Sequence, residues 1–296
     1  MKRKIFNRRE FLKTGTLAAS ATLLMKFPHS VLSKTNEKTK VVLIRNADVL
    51  DASNKVNSEV IQNMLDEAVK VLFGNKDVVT AWKSIIKPED IVGIKTNVWN
   101  YLATPKELEN AIKKRVMDAG VAEEKISFKD RGVLRDPIFQ NATALINSRP
   151  MRTHYWSGVG SLIKNYIMYV EKPSDYHPDS CADLGTIWNL PIVKGKTKLN
   201  ILVMLTPLFH SVGPHGFSQD YVWKYNGIIV GTDPVACDAV GLKIIEAKRR
   251  KFFGEEKPLN PHAKHIEYAD TRHHIGTADM NKIELIKLGM KEGILI

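Results

Sequence analysis

Cysteine is nearly absent: the 296 residues hold only Cys181 and Cys237. Two thiols cannot ligate an iron–sulfur cluster or a four-thiolate zinc site by themselves, so no iron–sulfur cluster is expected. The pair could form a disulfide in an oxidising compartment or sit as two small buried hydrophobes, and sequence leaves both open. Several signatures are missing as well. G-x-x-x-x-G-K-[ST] does not occur, and Gly158-Val159-Gly160-Ser161-Leu162-Ile163 lacks the last glycine of G-x-G-x-x-G, so a dinucleotide fold is unsupported. H-E-x-x-H and G-x-S-x-G are absent, which argues against a zincin and a serine hydrolase. There is no helix-turn-helix or zinc-finger spacing and no basic patch interleaved with aromatics, so nucleic acid is not an expected partner. No internal repeat or low-complexity tract is present.

What is present begins with an unusual amino terminus. Asn7-Arg8-Arg9-Glu10-Phe11-Leu12-Lys13 is a twin-arginine export motif, and residues 14–25 form a mild apolar run, short for a membrane span. Val31-Leu32-Ser33 offers a weak cleavage site. Residues 1–33 therefore read as a signal peptide, with 34–296 as one mature domain in the periplasm or another extracytoplasmic space. The translocase of that route is then a partner, and membrane contact is transient or through an uncleaved leader. The leader carries half of the formal net charge of +12. The mild positive charge left over suits an anionic ligand.

Behind the leader, apolar runs alternate with helical periodicity. Buried strands are expected at 40–45, 90–97, 125–130, 199–205, 227–230 and 283–288. Helices are expected at 57–74, 77–86, from Thr104 to 120, 157–170, from Asp233 through Lys248, and 261–272. Thr104-Pro105-Lys106-Glu107 reads as a capping box, and the stretch 157–170 as a helix started by Gly158-Val159-Gly160. Residues 136–156 carry no clear period. Short connections between strands and helices predict an α/β fold, a mostly parallel sheet flanked by helices, in a single domain.

In such sheets ligands sit beyond the carboxyl ends of the strands. That rule selects Lys95, Asn97 and Arg131 at strand ends, with Lys164 and Asn165 on the 157–170 segment. It also selects the junction Gly231-Thr232-Asp233-Pro234-Val235-Ala236-Cys237-Asp238. Asp233 before Pro234 is a strong helix start, and its oxygen is explained by capping alone. Asp238 lies in an apolar stretch, where a carboxylate needs a partner; Lys95 and Lys164 are the natural ones. A divalent metal is a candidate cofactor if loop 206–217 folds over the junction and brings His210 and His215 to Asp238. His262, His265, Glu267, Asp270, His273 and His274 make a second group of metal-ligand type.

Four segments together resemble the domain of unknown function 362 family: Asp90-Ile91-Val92-Gly93-Ile94-Lys95-Thr96-Asn97, Gly160-Ser161-Leu162-Ile163-Lys164-Asn165, Gly213-Pro214, and Gly231 through Asp238. The resemblance runs from Lys40 to the last strand and is similar to the members exported with a twin-arginine leader. Some relatives carry a ferredoxin-like segment, which two cysteines do not allow here. The resemblance implies an acidic residue at the end of the strand before Gly213-Pro214, where this chain has Thr206-Pro207. The combined reading is an exported enzyme acting on a small anionic or carbonyl-bearing substrate, with metal assistance as one version. Asp238, Asp233, Lys164 and Lys95 would be catalytic, and Asn97, Asn165, Arg131 and His215 would bind substrate. The alternative is a non-catalytic ligand-binding or redox-accessory protein in the periplasm.

Overall fold

The run 40–45 forms a strand, β1 (Thr39–Arg45), in the computed structural model of the chain, which describes residues 37–296 other than 212 and 214. The leader expected over residues 1–33 lies outside the described residues. Successive side chains on a strand point to opposite faces. Val42 and Ile44 accordingly join one apolar core, while Val41 and Leu43 join another. Because both faces are covered, the strand is apolar throughout rather than alternating. Fully burying each such side chain contributes about 1.5–3 kcal/mol.

Seven strands run side by side. In order they are β3 (Ile126–Lys129), β2 (Val92–Lys95), β4 (Ala144–His154), β6 (Thr197–Leu208), β7 (Gly227–Gly231), β1 and β8 (Ile283–Gly289). A short β5 (Gly158–Gly160) pairs antiparallel with the end of β4, setting His154 opposite Gly158 and Arg152 opposite Gly160. All neighbours on the main path are parallel except at β7, which runs against both β6 and β1. The sheet is therefore mostly parallel, as expected. Residues Lys38–Ile296 form one compact unit.

Helices α1 (Ser58–Phe73), α2 (Val78–Ile85) and α3 (Lys106–Asp118) cover one face. Asn57 caps α1 by accepting from the amides of Glu59 and Val60, and Gly74 ends it at φ 65°, where a Cβ would strain the backbone. The other face is covered by α4 (Pro137–Gln140), α5 (Leu162–Asn165), α6 (Pro234–Phe253) and α7 (Lys264–Thr271). Among the described residues no helix is long and apolar enough to cross a membrane.

Three local expectations are corrected. Thr104 makes no capping box: its hydroxyl accepts from the Asn97 amide and donates to the Ser148 carbonyl, and α3 starts after Pro105 without a side-chain cap. Gly158-Val159-Gly160 is a strand, so the helix of that region shrinks to the four residues of α5 followed by a tight turn. The unreadable stretch 136–156 contains β4, an 11-residue strand buried along its whole length.

Candidate functional site

β4 reads poorly because its second half is polar: Asn147-Ser148-Arg149-Pro150-Met151-Arg152-Thr153-His154. Proline cannot donate to a ladder, and Pro150 sits where the pairing of β4 with β6 shifts register, between Pro150 and Arg152. Regular strands send residues three apart to opposite faces. Across this break, Arg149 and Arg152 both reach one cleft, joined by His154. Irregularities of this sort commonly re-aim side chains near sites. Gly160 on β5 leaves room for one of them: a Cβ there would lie 2.8 Å from Nη2 of Arg149.

The cleft has a volume of about 530 Å³ and opens beyond the carboxyl ends of β2, β3 and β4. Asn97 comes from the end of β2, Asp130 and Arg131 from the end of β3, and Lys164 and Asn165 from α5. Trp99, Trp156, His177, Ile167 and Met168 supply a less polar wall. So Asn97, Arg131, Lys164 and Asn165 come together as the sequence led us to expect. Arg149, Arg152 and His154 were not foreseen. One signal was available: residues 137–170 contain those two arginines and Lys164 but no acidic residue.

The buried cations differ in how they are met. Lys95 donates to Asp130 at 2.9 Å, to the Thr96 carbonyl at 2.8 Å and to Asn165 at 3.3 Å. It is fully buried and saturated. Burial brings its pKa down to about 8 against the pull of Asp130. Burial raises the Asp130 carboxyl, and Lys95 more than reverses this, holding it below its usual value. Among the described residues the Lys164 side chain finds only the Cys181 sulfur, at 3.4 Å. Burial brings it to about 8, with Cys181 opposing and Arg149 adding to the drop. Arg149 is 4% exposed, and its Nε has no acceptor among the described residues. Burial pulls its guanidinium down to about 10. Arg152 is as deeply placed, its Nη1 is equally without an acceptor, and it lies 4.5 Å over the Trp99 ring. His154 is held far below its usual value by burial and then by Lys164, Arg149 and Arg152. Its Nδ1 accepts from the Trp156 amide at 3.2 Å, so it is a neutral, positioned ring.

Asp233 lies elsewhere for a reason of strand direction, and Asp238, though near enough to favour the Arg149 charge, is not part of the cleft lining. β7 is antiparallel, so its carboxyl end points to the opposite sheet edge from those of β2, β4 and β6. Asp233 caps α6 there, accepting from Val235 and Ala236 through Oδ1 and from Thr277 through Oδ2. Asp238 is fully buried, and neither lysine is its partner. Its two oxygens accept from the amides of Leu162 and Ile163, each at 2.9 Å. Asp238 thus caps α5, the helix that carries Lys164 and Asn165. Burial raises its pKa to about 7, with those amides and Ser161 working against the rise.

The proposed metal set does not assemble. His210 faces Arg249 at 2.9 Å, and His215 is an exposed ring at the edges of Tyr155 and Trp156. In the second histidine group, His265 is buried and meets Ser161 at 3.1 Å. Among the described residues no three His, Cys, Asp or Glu side chains are grouped as a metal site. The donor set of the cleft, three buried cations, a carboxylate already held by Lys95, and the imidazoles of His154 and His177 set beside Lys164, does not fit a resident divalent metal. Cys181 and Cys237 are both free and buried.

Chemically, the cleft offers two buried guanidinium groups, each with a nitrogen that has no acceptor among the described residues, for an anion, and one amine that is partly neutral near pH 8. A family model described as "Domain of unknown function (DUF362)" matches residues 92–243, which include every cleft residue named above. No curated protein and no solved structure matches the chain.

Proposed function

The chain belongs to the DUF362 family, and from that footing we propose that it is an enzyme holding a small anionic substrate on Arg149 and Arg152. Lys164 is the acting group, as general base or as an amine that adds to a substrate carbonyl. The observation behind this reading is a pair of buried arginines, each with one nitrogen that has no acceptor among the described residues (Nε of Arg149, Nη1 of Arg152), beside a lysine in the same cleft whose side-chain partner among those residues is a sulfur. Asp130, Asp238 and Cys181 favour the Arg149 charge but do not make up for its burial, and a bound anion offsets the remainder. An amine with a pKa of about 8 also has a far larger fraction in the free-base, nucleophilic form at working pH than a surface lysine. Asn97 and Arg131 contact substrate at the rim, while Lys95, Asn165 and Asp238 hold the frame. Export by the twin-arginine route to the periplasm completes the proposal; it rests on Arg8 and Arg9, and a double Arg8→Lys, Arg9→Lys variant should stay in the cytoplasm on fractionation.

The site is tested without a known substrate. Calorimetric titration with phosphate and with oxalate at low salt should show binding that Arg149→Met weakens about a hundredfold. Competitive amine labelling followed by peptide mass spectrometry should give Lys164 a midpoint near pH 8, with phosphate slowing its modification. A Lys164 that labels like the surface lysines, untouched by either anion, sinks the reading.

A further inference from the structure

Anion binding explains the floor of the cleft and leaves its wall unexplained. A volume of about 530 Å³ has room for well over ten waters at about 30 Å³ each, far more than a bare phosphate or carboxylate fills. Beside the cations the wall carries Trp156 and His177, stacked with ring centroids 4.1 Å apart and planes 14° apart. His177 is held below its ordinary value by burial and then by Lys164, so the stack is of two neutral rings at neutral pH. Trp99 is already engaged: Arg152 lies on its ring, and Tyr101 and Phe217 meet it edge-on. Trp156 meets His154, Tyr155 and His215 as well, whereas His177 meets no ring but Trp156 among the described residues, so the pair presents its His177 face as the ring surface left to the cleft.

Resting on the anion reading above, we infer that the ligand joins an anionic head to a planar ring, the head held by Arg149, Arg152 and Lys164 and the ring laid on the Trp156–His177 stack. Aromatic stacking favours offset parallel rings, and an aromatic platform accepts any flat π-face. The ligand class is a phosphorylated or carboxylated aromatic or heteroaromatic compound, of which a nucleoside monophosphate is one form. The absence of a glycine-rich phosphate loop does not count against it, because here the head group meets side-chain cations rather than backbone amides.

Calorimetry on the full chain separates the two claims, using inorganic phosphate, phenyl phosphate, AMP and adenosine as probes. Ring-bearing phosphates should bind at least about tenfold tighter than inorganic phosphate, the ratio one stacked ring supplies, and adenosine should bind more weakly than AMP. His177→Ala at the outer layer should bring that ratio close to one, and Trp156→Leu should do the same in a separate protein. If inorganic phosphate binds and neither ring-bearing phosphate binds tighter, the ring inference is overturned while the anion site stands. If neither these phosphates nor oxalate binds at all, both fall. A ratio unchanged in both variants overturns the placement of the ring on this stack.

Discussion

The β7–α6 junction and the cleft beyond β4 bury charge in opposite ways. At the junction, both carboxylates are met by backbone amides: Asp233 takes three and Asp238 takes two. In the cleft, Arg149 Nε and Arg152 Nη1 are buried with no acceptor among the described residues. Folding desolvates charge in both places; at the junction fixed dipoles offset part of it and leave Asp238 at about 7 and Asp233 above its ordinary value. A region whose polar groups are satisfied by the fold is a structural device; one whose groups are left open is preorganised for something the fold does not contain. The two lysines repeat the contrast in miniature, since Lys95 and Lys164 share a pKa of about 8 but only Lys95 has its donors filled by oxygen.

The largest effect should follow from breaking the satisfied side. Asp238→Ala leaves the amides of Leu162 and Ile163 orphaned in the core and frees the start of α5. A loss of about 2–4 kcal/mol is expected in urea unfolding, from two orphaned amides at about 1–3 kcal/mol each, less the part returned because burial already raises the Asp238 carboxyl. Asp238→Asn should cost less, since one acceptor remains. An Ala variant as stable as the parent would show that the junction is not the structural half of the pair.

The open side should respond with the opposite sign. Lys164 is held at about 8 against an ordinary 10.5. Between those values the unfolded chain binds a proton that the native protein does not, so this group's penalty is full below about pH 8 and is relieved as pH rises toward 10.5. Lys164→Met removes the penalty. The variant should be more stable than the parent by about 1–3 kcal/mol at pH 7, with the advantage fading by pH 10. Paired denaturation curves at the two pH values measure it. A destabilised variant at pH 7 would mean that Lys164 is as well satisfied as Lys95.

This division was only half legible in the sequence. The strands β1, β6 and β7 announced themselves as apolar runs because both faces of the sheet are covered, and α1 and α6 by their caps and periodicity. Lys95, Asn97, Arg131, Lys164 and Asn165 were found by their position at strand ends and on the segment after Gly160. What failed was non-local. No residue within β7 states that its neighbours run the other way, so Asp233 was assigned to the wrong edge. Asp238 lacked a visible partner because its partners are amides 75 and 76 residues earlier in the chain. β4 was missed because its cleft-facing residues are charged and Pro150 interrupts it, the same features that make it the floor of the site.

The smallest predicted effect probes how separate the two regions are. They are joined by a chain of amides: Asn165 donates to Asn147, Asn147 to Asn200, and Asn200 to the Thr232 carbonyl next to Asp233. Asp233→Asn keeps an oxygen that caps α6 as well as aspartate does. Its amide nitrogen would then face the Thr277 N–H, donor against donor, where Oδ2 now accepts. Part of that loss is returned because burial already raises the carboxyl of Asp233 above its ordinary value, and the neutral amide escapes that burden. The net cost should be about 1 kcal/mol or less. It should be local, read as faster hydrogen exchange at Thr277 and Ala278 with the amides of β4 unchanged. Phosphate affinity should stay within about twofold of the parent. A tenfold fall would mean that the amide chain couples the edges and that the junction belongs to the site after all.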